Sequence, residues 1–126
     1  MLHPFAAGAS KRWPLDRFRD LARILEQSMR VEWCAGPEDV LDGAVRIENL
    51  YELAQHVASA RVFVGNDSGI THLAAAAQAP VVAPFGPADP RVWSPRGPRV
   101  TVLAKPEIGQ ITVQEVVEAA QRLYLP

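Results

Sequence analysis

The sequence predicts an α/β fold in which helices enclose a parallel sheet, and three observations predict it. Short apolar runs alternate with amphipathic helical segments along the chain. The stretch from Val62 to Phe85 reads as strand, tight turn, helix and strand in one unit, the half-unit of a parallel sheet. The turn-forming segments Pro4–Lys11, Gly36–Asp39, Gly65–Gly69 and Phe85–Asp89 each follow a predicted strand. In such sheets ligands bind beyond the carboxyl ends of the strands, so all four loops can face one crevice. The expectation is one three-layer, Rossmann-like domain over residues 1–126.

Taken in order, Met1–His3 reads as the tail of a strand, because only two residues precede the histidine where about five are usual. This leads to the expectation that the chain begins partway into a domain. The loop Phe5–Lys11 has neither the GxxxxGK[ST] nor the GxGxxG spacing. Pro14 opens a helix whose buried stripe is Leu15, Phe18, Leu21, Ala22 and Leu25. Val31–Ala35 and Ala44–Ile47 are expected as a second and a third strand. The link between them is about ten residues, short for a crossover, which leaves at most a turn or two of helix near Glu38–Leu41. Asn49 with Glu52 starts the next helix, with Leu50, Leu53, Ala54 and Val57 inward. Val62–Val64 is a strand, Ile70–Gln78 a helix stopped by Pro80, and Val81–Ala83 the next strand. After the turn-rich loop Phe85–Pro90, Val100–Leu103 is a strand. Thr112 with Glu115 then opens a last helix that buries Val113, Val116, Val117, Ala120 and Leu123.

Composition narrows the function. A net charge of −1 is poorly suited to a nucleic-acid surface, which needs clustered positive charge. The lone Cys34 precludes an intrachain disulfide and lies in an apolar run, as a buried structural thiol does. No stretch is long and apolar enough to span a membrane, and Met1–Pro4 lacks the basic and apolar segments of a signal peptide. No metal-ligand spacing is present.

Singly, the polar residues read plainly. Asp67 or Ser68 at a helix start is a cap, His72 a surface histidine, and Lys11 beside Arg12 a solvated pair. Trp13 packs at the start of the first helix, and Trp93 either packs or lines a ligand edge. Convergence of the loops changes the balance. It would bring an ammonium, an imidazole and helix-terminal N–H groups around one anion, the setting in which a helix N-terminus holds phosphate. A leaving nucleoside diphosphate needs such stabilisation as its charge grows.

The combination of His3-Pro4, Lys11-Arg12-Trp13-Pro14, Gly36-Pro37, the block Gly65–Ala76 and Phe85-Gly86-Pro87-Ala88-Asp89-Pro90 resembles the heptosyltransferase family, glycosyltransferase family 9. Order and spacing match that family's C-terminal, donor-binding half across nearly the whole chain. The resemblance implies a GT-B architecture of two Rossmann-like domains closing on a cleft. There the C-terminal domain holds a nucleotide sugar, typically ADP-heptose, and the N-terminal domain holds the lipopolysaccharide acceptor and the catalytic base. It implies donor binding by Lys11, Asp39, Asp67, Ser68, Gly69 and His72. Lys11 would neutralise the diphosphate, Ser68 and Gly69 would bond it, and Asp67 would hold the sugar or order the turn. His72 would sit near the phosphate and Asp39 near the ribose. Lys11 and His72 are thereby the leaving-group stabilisers of an inverting displacement that needs no metal or other cofactor.

The sequence departs from the family where His-Pro is usually followed by Gly-Ser-Gly: here Phe5-Ala6-Ala7-Gly8 follows. Ala88 replaces a threonine, and the helix after Gly36-Pro37 is shortened. The expectation is that the N-terminal domain, and with it the base and acceptor site, is absent, and that the chain binds ADP or an ADP-sugar without transferring sugar unaided. An uncovered apolar face would favour self-association. The implied location is cytoplasmic, with at most peripheral contact at the inner face of the inner membrane. Two alternatives stand beside this one: a degenerate, non-catalytic interaction module, and a GT-B relative that uses uridine nucleotides.

Overall fold

The computed structural model describes residues 1–87 and 95–125. The expectations for Ala88, Asp89, Pro90 and Trp93 therefore lie outside the described residues. Four strands, β1 (Leu2–His3), β2 (Phe63–Gly65), β3 (Val81–Phe85) and β4 (Val100–Ala104), pair in that order, all parallel. Single parallel bridges from Leu2 to Trp33 and from Cys34 to Val45 extend the sheet beyond β1. The chain thus works outward from β1 on one side, then returns to lay β2 against its other side and continues to β3 and β4. That reversal is the switch point at which open α/β sheets leave a crevice. Here it lies between the carboxyl ends of β1 and β2.

Alternation along the strands builds the layers, since successive side chains point to opposite faces. Val62, Val64 and Val82 join Leu2 beneath α1 (Leu15–Leu25) and α4 (Val113–Tyr124). Phe63, Val81, Ala83 and Phe85 join Cys34 beneath α2 (Leu50–Ala58) and α3 (Gly69–Ala76). The three-layer parallel α/β architecture is as expected. Cys34 is buried, and desolvation pushes its thiol pKa up, as a structural cysteine requires.

The caps explain the helix limits. Thr112 and Glu115 satisfy each other's backbone N–H groups at 3.1 and 3.2 Å. Asn49 accepts from the Glu52 N–H at 3.0 Å. Helix α3 ends at Ala76, before Pro80 can act. Gln78 takes a left-handed φ of 67°, and the Gln78 and Ala79 N–H groups return to the carbonyls of Ala75 and Ala74. Pro14 is the residue before α1, not its first residue.

Two expectations are corrected. Val31–Ala35 and Ala44–Ile47 are not strands but make one bridge each way, because the short link between them folds as turns. One of these turns is closed by Asp39 N–H to the Gly36 carbonyl, and Gly43 sits in the other at φ 76°. No helix forms over Glu38–Leu41. Leu15 and Leu50 are 39% and 70% exposed, not core. Each is the first residue of its helix and stands at the carboxyl edge, where no strand lies beneath it.

Trp13 is fully buried at the seam between the first loop and α4. Its indole N–H donates to the Ile111 carbonyl at 2.9 Å, and its ring meets Phe18 edge-on at 5.0 Å. Arg17 reinforces the seam by donating to the same carbonyl at 2.8 Å.

Candidate functional site

The carboxyl ends of β1 and β2 position the site. After β2 the chain turns through Asn66, Asp67 and Ser68 directly into α3. Gly65 permits the tight turn, since a Cβ there would lie 2.3 Å from the Thr71 hydroxyl and 2.6 Å from the Phe63 ring. Ser68 caps α3, its hydroxyl accepting from the Thr71 N–H at 3.4 Å. By helix geometry the N–H groups of Gly69 and Ile70 have no intrahelical acceptor. Both residues line a cavity of about 640 Å³, in the range of small-molecule sites. His3, Phe5, Asp39, Leu53, Ser68 and Leu73 also line it.

Of the expected residues, Asp39, Ser68 and Gly69 line this cavity, whereas Lys11, Asp67 and His72 form a cluster beside it. Asp67 is the hub of that cluster, with its side chain 9% exposed. One carboxylate oxygen is 3.6 Å from the Lys11 ammonium and the other 3.3 Å from His72 Nε2. Lys11 and His72 are 42% and 44% exposed, so both can also reach outward to a ligand. Asp39 is held by the Gly36 N–H, which donates to it at 2.8 Å. The loops after β1 and β2 and the Gly36–Asp39 turn therefore meet at one place. Gly86, after β3, adjoins the Ser10 carbonyl, which brings the described part of the fourth loop to the same edge.

Two residues at this junction had no role assigned from the sequence. Asn66 is fully buried, and its side-chain oxygen accepts from the Trp13 N–H at 3.0 Å, which pins the Lys11 loop to the end of β2. His3 is buried between Ser68 and Asp39, with the Phe5 ring edge-on at 5.7 Å. Desolvation lowers its pKa to about 4, with Asp39 opposing part of the shift. The signal for both was position at a strand's carboxyl end: His3 directly follows Met1-Leu2, and Asn66 follows Val62–Val64 after one glycine.

No helix among the described residues is long and apolar enough to cross a membrane. Among the described residues, no group of three or more His, Cys, Asp or Glu is arranged to hold a metal ion.

Comparison with known proteins places this geometry. The chain is 29% identical over 114 residues to lipooligosaccharide heptosyltransferase 2 of Haemophilus influenzae, covering 76% of this chain and 33% of that protein. It superposes on E. coli ADP-heptose lipopolysaccharide heptosyltransferase II with a TM-score of 0.84 at 25% identity, over 98% of this chain and 45% of that one. E. coli heptosyltransferase WaaC, solved with ADP, shares the fold at a TM-score of 0.82 and 23% identity, over 96% of this chain and 43% of that one. The chain thus spans about a third of the length of the curated relatives it matches first. The profile of glycosyltransferase family 9 (heptosyltransferase) matches residues 1–121, and the chain belongs to that family.

Proposed function

We propose that this chain is a donor-binding domain that holds an ADP-sugar, ADP-heptose in kind, at the carboxyl edge of its sheet. The observation that carries the reading is the mouth of α3. It opens into the cavity beside Lys11 and His72, so a diphosphate there meets backbone N–H groups, a helix dipole and an ammonium together. The ADP bound by WaaC supports the choice of nucleotide. In this reading Ser68 and Gly69 bond the diphosphate and Asp39 reads the ribose. Lys11 and His72 stabilise the departing ADP as the anomeric carbon is displaced with inversion. Asp67 holds Lys11 and His72 in place. A second domain supplies the base and a lipopolysaccharide-type acceptor, so transfer needs both, and the work is done at the cytoplasmic side. Exposed Val40, Leu50 and Tyr51, near the cleft, suit a face that such a domain, or a second copy, covers.

Calorimetric titration with ADP tests the reading. The wild-type chain is expected to bind, and Lys11→Ala to weaken binding about ten- to a hundredfold, the worth of one charge-assisted hydrogen bond. Absence of binding at millimolar ADP sinks the proposal. UDP in place of ADP tells a uridine-nucleotide relative from an adenine one.

Gly69 offers an independent check. A Cβ there meets nothing within 4 Å, so the fold itself does not demand glycine. Gly69→Ala is expected to change stability by no more than about 1 kcal/mol. It should lower ADP affinity about tenfold by crowding the phosphate. Unchanged affinity would move the diphosphate away from the α3 mouth. The Phe5 ring at the cavity wall favours the alternative of a non-catalytic module; under it, neither substitution alters nucleotide binding.

A further inference from the structure

We propose that His3 is a positioning residue that joins the nucleoside end of the cleft to its phosphate end, holding Ser68 through Nδ1 and presenting an Nε2–H to Asp39. The inference rests on the nucleotide reading above and deepens it. His3 ends β1 at the switch point, and although buried it lines the cavity. Its Nδ1 lies 3.4 Å from the Ser68 hydroxyl oxygen. That oxygen accepts from the Thr71 N–H and lies 3.3 Å from the Thr71 hydroxyl. In this assignment the Thr71 hydroxyl donates to the Ser68 oxygen, and the Ser68 hydroxyl gives its own hydrogen to Nδ1. A neutral ring that accepts at Nδ1 carries its proton on Nε2.

That second nitrogen is buried and makes no hydrogen bond, and the nearest carboxylate oxygen is Asp39 Oδ2 at 3.8 Å. The gap is about 1 Å longer than an N–H···O bond. Asp39 is a partly exposed side chain on a turn, and since Oδ2 also accepts from the Gly36 N–H at 2.8 Å, the carboxylate closes the gap by pivoting about that bond. A ribose hydroxyl donating to Asp39 would orient the carboxylate, and His3 would lock that orientation from behind. The same ring holds Ser68 at the mouth of α3, so a nucleoside seated at one end organises the anion seat at the other.

The order Ser68, His3, Asp39 also matches a nucleophile, base and carboxylate, but the chemistry does not. The Ser68 oxygen is engaged as the α3 cap, and a ring whose pKa is held near 4 is a weak base at neutral pH. Positioning is the role left.

Two measurements decide it. Imidazole ¹⁵N spectra of the wild-type chain should show Nδ1 unprotonated and Nε2 protonated, with the Nε2 proton moving downfield as ADP is added. Calorimetry with ADP and 2′,3′-dideoxy-ADP should show a ribose preference in the wild type. His3→Gln, which keeps an N–H near Nε2, should retain that preference. His3→Phe should lose about tenfold more for ADP than for dideoxy-ADP, the worth of one hydrogen bond to a charged group, with any loosening of Ser68 weakening both ligands alike. A protonated Nδ1, an unmoved Nε2 proton at saturating ADP, or an undiminished ribose preference in His3→Phe would overturn the proposal. If the wild type binds no ADP, the nucleotide reading fails first. If it binds with a ribose preference that His3→Phe keeps, only the role of His3 fails. Should His3→Phe not fold, the wild-type spectra still decide.

Discussion

Trp13→Ala is expected to destabilise the chain by about 3–5 kcal/mol, the usual range for removing a large buried aromatic side chain. The site cannot collapse around the loss. On one side of the indole stands Phe18 of α1, and on another the Ile111 carbonyl, which accepts the indole N–H before α4 begins. Arg17 shares that carbonyl and would be left to hold the seam alone. For a domain whose total stability is about 5–15 kcal/mol, this is a large fraction. The effect reaches function, because the backbone N–H of Trp13 is what Asn66 holds. Loosening the tryptophan frees the Lys11 loop from the end of β2, so nucleotide affinity should fall with stability. Trp13→Phe keeps most of the ring and loses the carbonyl bond, and is expected to cost about 1–2 kcal/mol plus a smaller packing loss. Urea unfolding of the three proteins checks the series. A Trp13→Ala loss below about 1 kcal/mol would mean that the seam is not a principal support.

Local chemistry explains which features were legible in the sequence. Capping residues act on backbone groups three positions away, so Asn49 with Glu52 and Thr112 with Glu115 marked their helices directly. The apolar run Val62–Val64 was likewise legible as a buried strand, although only the structure shows Phe63 on one face and Val62 and Val64 on the other. Helical period marks a face but not where along the helix its support ends. Leu15 and Leu50 fall on the right face and still project past the sheet. Val31–Ala35 has strand composition, yet ladders depend on a partner's register, and the tight Gly36–Gly43 link permits single bridges only. At the site, Lys11, Asp67 and His72 were readable as charges at loop ends, and they do meet. Asn66 and His3 were not assigned, because their roles are contacts across 53 and 65 residues of chain. Nothing local announces that an asparagine will hold a tryptophan's backbone or that a histidine will be stripped of water.

That stripping has a thermodynamic consequence. His3 takes up a proton near pH 4 in the folded chain, against 6.5 for an ordinary histidine, because its buried ring cannot be hydrated when charged. Between these values the unfolded chain binds the proton and the folded chain does not. Stability therefore falls as the pH is lowered from about 6.5 towards 4, and the contribution levels off below that. A shift of this size corresponds to about 3 kcal/mol, and with the side chain only 3% exposed there is little solvent to screen it. Asp39 works in the opposite direction by attracting the charged ring, but it is second to desolvation. His3→Gln removes the titrating group while keeping an amide in its place. Urea unfolding at pH 7 and pH 4.5 should show the wild type losing about 2–3 kcal/mol more than His3→Gln. Parallel losses in the two proteins would mean that water reaches His3. The neutral ring with a single acceptor for Ser68 would then no longer hold, and with it the link between the two ends of the cleft.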